Sequence, residues 1–240
     1  VVSPAIDMGG NPLMLIFDQR GVGYCREVEY ILNDQQFDPR ADIGAFELQS
    51  RLPTVVSVTT NSQPQHSMVT SIIVEFSEPV TLPNGVNAAF KLDRVGPNNP
   101  TGWVNLNGTI NAEFVTLTFA TGGDVGIDPA GSLIDGIYQL KIIGANVTGA
   151  LGLFDGNCDG VGGDNWEIIG NQDNGLFRLF GDGNGDGVVN ATDFNLFRLT
   201  YGLTSIDPGF NFAFDYNGDG NVNAADYNQF RLRYGIDLFP

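Results

Sequence analysis

Lysine is nearly missing from this 240-residue chain, with Lys91 and Lys141 the only two. There is one histidine, His66, and there are two cysteines, Cys25 and Cys158, far apart in sequence. Each scarcity removes a class of function. Eleven basic residues against 28 acidic ones leave a formal charge of −17. Such a surface repels nucleic-acid phosphates and anionic membranes, so neither is an expected partner. No run of eighteen apolar residues occurs, so no membrane-inserted helix is expected. The histidine stands between Pro64 and Met68 with no cysteine or acid beside it, and no nucleophile motif or acid pair accompanies it. Catalysis by this chain is not expected. Two distant cysteines make no disulfide framework, and free thiols are expected. The chain opens on Val1 in mid-pattern and reads as the C-terminal piece of something longer, so a missing signal peptide does not bear on its compartment.

What is abundant is turn chemistry: 32 glycines, 12 prolines and many Asn and Asp residues, as in chains of short strands joined by turns. Segments such as Val69–Phe76, Phe114–Phe119 and Ile137–Ile142 alternate with period two and are bounded by turn signals. Roughly seven strands across residues 51–149 predict a β-sandwich. With "EFSEPV" at Glu75–Val80 and "DGIYQL" at Asp135–Leu140, this stretch resembles bacterial Ig-like domains. The resemblance implies a spacer, or a module that binds carbohydrate or protein. Residues 1–50 carry "SPAID" at Ser3–Asp7, "DQRG" at Asp18–Gly21 and "DIGAFE" at Asp42–Glu47, and resemble the closing segment of secreted parallel β-helix domains. Asp7, Asp18, Arg20 and Asp42 are read there as structural. Any polysaccharide-binding groove of such a solenoid would lie upstream.

Residues 150–240 hold an internal repeat with an offset of 33 residues. The run from Asp182 to Asp193 returns as Asp215 to Asp226, and Phe194–Gly202 returns as Tyr227–Gly235. Calcium takes six to eight oxygens at roughly 2.3–2.6 Å, and a twelve-residue loop can wrap it. The spacing offers Asp182, Asn184 and Asp186, then Asp215, Asn217 and Asp219, at loop positions 1, 3 and 5. Gly187 and Gly220 allow the sharp turn at position 6, and Val188 and Asn221 supply a backbone carbonyl. Asn190 and Asn223 stand where a ligand often acts through water. Asp193 and Asp226 close each loop at a helix N-terminus, which favours their negative charge. Two calcium ions are expected. A weaker loop, with Asp155, Asn157, Asp159 and Asp164, is a candidate third site, although Trp166 occupies its twelfth position. The apolar stripes Phe194, Phe197, Tyr201 and Tyr227, Phe230, Tyr234 are expected to pack the two units together.

Two loop–helix units, each with a D-x-N-x-D-G-x-V-N run and Asp at position 12, resemble a type I dockerin. The expected fold is therefore mainly β with a small α module: an Ig-like sandwich, then an EF-hand-like dockerin, preceded by a β-helix end. The resemblance implies docking of a secreted or cell-surface protein, often polysaccharide-degrading, onto a cohesin. Partner choice in that family depends on the pair after the position-9 ligand, often Ser-Thr. Here the pairs are Ala191-Thr192 and Ala224-Ala225, which leaves room for another cell-surface receptor. Arg198 and Arg231 are further candidate contacts. The rival readings are a fragment of a β-helix lyase or hydrolase, and a calcium-stiffened adhesin or stalk.

Overall fold

The computed structural model describes residues 52–61, 64–97 and 101–240. The β-helix expectation for residues 1–50, Cys25 included, lies outside them.

The alternating segments form the strands. They are β1 (Val55–Thr60), β2 (Ser71–Phe76), β3 (Phe90–Gly96), β4 (Gly102–Asn111), β5 (Phe114–Ala120), β6 (Gly136–Ile142), β7 (Trp166–Ile169) and β8 (Phe177–Arg178). A short helix α1 (Val86–Ala89) precedes β3, and the helices α2 (Ala191–Thr200) and α3 (Ala224–Arg233) come after β8. All strand pairs are antiparallel, in the order β1-β2-β5-β4-β3-β6-β7, with β8 also on β6. The chain is mainly β, as its composition predicts. In place of two separate sheets, the strands make one sheet that curls at β4. Gly102–Val104 of that strand pair with β3, and Asn105–Asn111 pair with β5. Inward residues from both halves (Ile72, Val74, Leu117, Phe90, Leu92, Leu140) meet in one core. The sheet also runs past residue 149, because β7 and β8 belong to it.

A second core begins where the first ends. Met68, Phe177, Leu179 and Phe180 pack with Val189, Phe197, Phe214, Val222, Phe230 and Leu238. The loop–helix unit is too small to bury much surface alone, and residues from the sheet complete its interior. A buried ion network ties the two parts. Arg178, 1% exposed, donates to Asp128 Oδ2 at 2.7 Å, to Asp135 Oδ1 at 2.5 Å and to the Ser67 carbonyl at 2.8 Å. Arg233, in the last turn of α3, donates to the other oxygen of Asp135. Both guanidinium groups lie over the rings of Phe180 and Tyr216, at 5.2–5.8 Å. Burial raises the Asp128 carboxyl despite Arg178. At Asp135 burial also pushes upward, but two arginines outweigh it and hold the carboxyl low. Cys158 is disulfide-bonded, which overturns the expectation of a free thiol at that position.

Candidate metal centres and docking face

Each loop of the repeat folds around its first acid. Asp182 Oδ1 accepts from the Gly185 and Asp186 N–H groups, and Oδ2 from Gly187. Asp215 repeats this with Asp219 and Gly220. Gly187 and Gly220 have φ +80° and +79°, the left-handed turn that position 6 requires. Asn184 and Asn217 each donate to the acid two residues on, at 2.8 and 2.9 Å. The twelfth residue ties loop to helix. Asp193 accepts from Gly183 N and Asn190 N, and Asp226 from Tyr216 N and Asn223 N. Asn190 and Asn223 serve as helix N-caps, their side chains accepting from Thr192 N and Ala225 N.

The last link is reciprocal. After α2 the chain crosses to the second loop, where Gly202 N donates to the Val222 carbonyl and Val222 N to that of Leu203. After α3, Gly235 N donates to Val189 and Val189 N to Ile236. Thr204 then bridges Asn221, as Asp237 bridges Val188. The 33-residue offset converts each contact into the other, so the unit is two-fold symmetric in its wiring.

These donor sets fit a hard cation. Asp182, Asp193 and Asp226 are 0% exposed and Asp215 5%. Among the described residues, no Arg or Lys stands within ion-pair distance of any of them. A buried carboxylate without a counter-charge costs several kcal/mol, order of magnitude, unless a cation neutralises it. The strain shows in the titration of Asp182, which burial, together with Asp193 and Asp186, pushes up to about 7 against its loop hydrogen bonds. Burial likewise raises Asp193 and Asp226. In the exposed part of the second loop, bonds from Asn217 and Asn221 hold Asp219 low.

Among the described residues, one set of three acids brings its oxygens within 4.8 Å of one another: Asp155, Asp159 and Asp164. Asn157 Nδ2 donates to Asp159 at 3.1 Å. This loop leads into the strand β7 at Trp166, whereas each main loop leads into a helix. The acids of the two main loops do not converge this closely.

The residues expected to meet a partner (Ala191, Thr192 and Arg198; Ala224, Ala225 and Arg231) are all exposed on α2 and α3. The apolar stripes pack as expected, with Phe197 against Phe230 at 5.0 Å and Phe194 against Tyr227 at 6.4 Å. Two hollows open between the helices. One, of about 400 Å³, is lined by Phe194, Tyr227, Phe230, Arg231 and Tyr234. The other, of about 320 Å³, is lined by Tyr227, Phe194, Phe197, Arg198 and Tyr201. The repeat offset maps one lining set onto the other, residue for residue.

Sequence reasoning did not find the junction. His66, a polar-loop residue by sequence, is 2% exposed, stacks on Phe177 at 4.1 Å and donates its backbone N–H to the Asp182 carbonyl. Burial lowers its titration, and a bond to the Phe177 carbonyl partly opposes this. Ser67 Oγ donates to the Ala213 carbonyl and accepts from Gly181 N. The signal available was Arg178, a lone charge inside Leu176-Phe177-Arg178-Leu179-Phe180. A cation in an apolar run calls for buried acids.

Residues 180–231 match the family described as dockerin type I domain, and the chain carries that domain in its C-terminal part. No curated protein matches the chain. Among solved structures, the crystal structure of the S-layer protein rSbsC(31-844) aligns with 52% of this chain and 14% of its own, at 18% identity and a TM-score of 0.30. The N-terminal part of the bacterial S-layer protein SbsC aligns with 52% and 24%, at 17% identity and 0.31. This chain thus spans less than a quarter of those proteins, and overlaps this slight carry no argument about fold or function. Among the described residues, no helix is long and apolar enough to cross a membrane.

Proposed function

We propose that the dockerin domain makes this chain a calcium-dependent docking module of a secreted or cell-surface protein, without catalytic activity of its own. Asp182, Asn184, Asp186 and Asp193, with the Val188 carbonyl, would hold one calcium ion. Asp215, Asn217, Asp219 and Asp226, with the Asn221 carbonyl, would hold a second. Bound calcium supplies the counter-charge that the buried acids lack, and so fixes the N-termini of α2 and α3. The helices then present their face to a cohesin-like or other cell-surface receptor, in a setting of polysaccharide binding or degradation. The observation that carries this reading is the pair of matching aromatic hollows, each edged by an exposed arginine. Arg233 is engaged by Asp135, which leaves Arg198 and Arg231 as the cations of that face.

A second reading, a calcium-stiffened stalk, draws on the buried network that joins the domain to the sheet. One experiment separates them. The full chain is titrated calorimetrically with calcium, then offered to immobilised cohesins with and without chelator. Two sites and calcium-dependent capture, weakened about tenfold or more in Arg198→Ala/Arg231→Ala, support docking. Two sites without capture by any cohesin leave the stalk, and no binding at millimolar calcium overturns both.

A further inference from the structure

The solvent face of the sheet, away from the loops, has a composition that folding does not require. The strand registers place Trp103, Asp93, Gln139 and Ile169 in one cross-strand row over β4, β3, β6 and β7. Their neighbours along each strand, Val104, Leu92 and Leu140, face the core. The adjacent outward row holds Lys91, Lys141 and Glu167. With strands about 4.8 Å apart and outward rows about 7 Å apart, these groups span a platform roughly 14 Å long.

Three features of it point to a ligand. First, Trp103 is 41% exposed and Ile169 55%, so apolar surface stands at both ends of the row with a carboxylate and an amide between. Among the described residues, no ring packs on Trp103 and no hydrogen bond engages the Asp93 or Gln139 side chain. Second, the only two lysines of the chain are directly opposite each other, an arrangement that costs stability in a sheet. Lys141 is 3.5 Å from Glu167, and Lys91 Nζ donates to the Asn87 carbonyl. Third, the two lysines balance Asp93 and Glu167, so this face is neutral in a chain of charge −17.

We infer that this face binds a neutral polysaccharide. A sugar ring offers an apolar C–H face, which suits an exposed indole, and a rim of hydroxyls that both donate and accept. Asp93 accepts, the lysines donate and Gln139 does both, which matches that rim without net charge. A polyanion would be repelled by the rest of the molecule. An apolar peptide would strip water from Asp93 and Gln139 without replacing their hydrogen bonds. Trp103 is thus the stacking platform, and Asp93 and Gln139 orient the ring upon it.

The test is affinity electrophoresis of the full chain through gels containing hydroxyethyl cellulose, xylan, glucomannan or polygalacturonate, with tryptophan fluorescence alongside. At least one neutral polymer should retard the chain and change its fluorescence. Trp103→Ala should weaken retention about tenfold or more and Gln139→Ala about threefold, while Trp166→Phe, on the inward side of β7, should retain it. Circular dichroism checks that each variant is folded. Retardation by no neutral polymer, equal retardation of the folded Trp103→Ala variant, or retardation by polygalacturonate alone would overturn the inference.

Discussion

The two calcium loops are near copies in sequence and unequal in setting. The first lies against the sheet. His66 N donates to the Asp182 carbonyl, Gln172 to that of Asp186, and the Pro64 carbonyl lies so close to Gly185 that a Cβ there would be 1.7 Å from it. The second loop meets the sheet side through ring contacts: Tyr216 packs on Phe180 at 5.0 Å and lies beneath Arg178, a Cβ on Gly218 would stand 3.1 Å from Ala130, and its Asp219 is exposed. A duplicated motif therefore need not give duplicated energetics. The repeat sets the ligands and the reciprocal straps, while the neighbouring sheet decides how rigidly each loop is held.

Four measurements test that contrast. The largest effect is expected from the twelfth-position acids. Asp193→Ala and Asp226→Ala should each abolish one calorimetric calcium site. The first should also lower the unfolding temperature of the sheet, and the second should leave it nearly unchanged. Equal effects on the sheet would show that the loops are equivalent after all.

Next comes the junction. Asp135→Ala leaves Arg178 and Arg233 without their shared partner, and breaking a buried pair in this way costs about 3–5 kcal/mol. Urea denaturation in saturating calcium should show that loss, with the cooperative transition splitting into two. A single transition with a shift below about 1 kcal/mol would mean that the domains are coupled by apolar packing alone.

The glycines give a graded comparison. Gly185→Ala must adopt φ +81° against the Pro64 carbonyl, whereas Gly218→Ala must adopt φ +68° with only Ala130 nearby. The second change should cost about 1 kcal/mol, the usual penalty for a left-handed non-glycine residue, and the first about 2 kcal/mol or more. Thermal melts in calcium check the order.

The fourth test is one of pH. The Asp182 carboxyl in the folded chain is raised to about 7 from 3.8, so its protonated form favours the native state. In chelator, its stabilising contribution is complete below pH 3.8 and is lost as pH rises through about 7. Asp182→Asn should flatten that part of the stability profile when melts are compared from about pH 5 to about pH 8. An unchanged profile would place the titration elsewhere.

Much of the domain was legible because its pattern is local. Twelve loop positions and a helical stripe lie within one short stretch, so the spacing of Asp182, Asn184, Asp186 and Gly187 carries the geometry. The β content was legible too, since alternation such as Ser71–Phe76 shows directly which residues face inward. The curl of the sheet was not, because it depends on one strand, β4, changing partners at Asn105. The junction was hidden for the same reason. Arg178 finds acids 50 and 43 residues away, and His66 packs on a ring 111 residues away; no local pattern announces such pairs.

The amino-acid order was enough to set the chemistry of the loops: which oxygens stand at which turn, where glycine permits a left-handed backbone, and which helical faces are apolar. These properties arise from backbone geometry over a few residues, and the chain repeats them 33 residues later. Tertiary packing alone determined that one loop would be hydrogen-bonded to the sheet side and the other would meet it through Tyr216, that Asp135 would serve two arginines, and that Trp103 and both lysines would share one face. Those are relations between distant segments. They depend on how the sheet buries its core and on the need of each buried charge for a partner, and neither is written in the spacing of neighbouring residues.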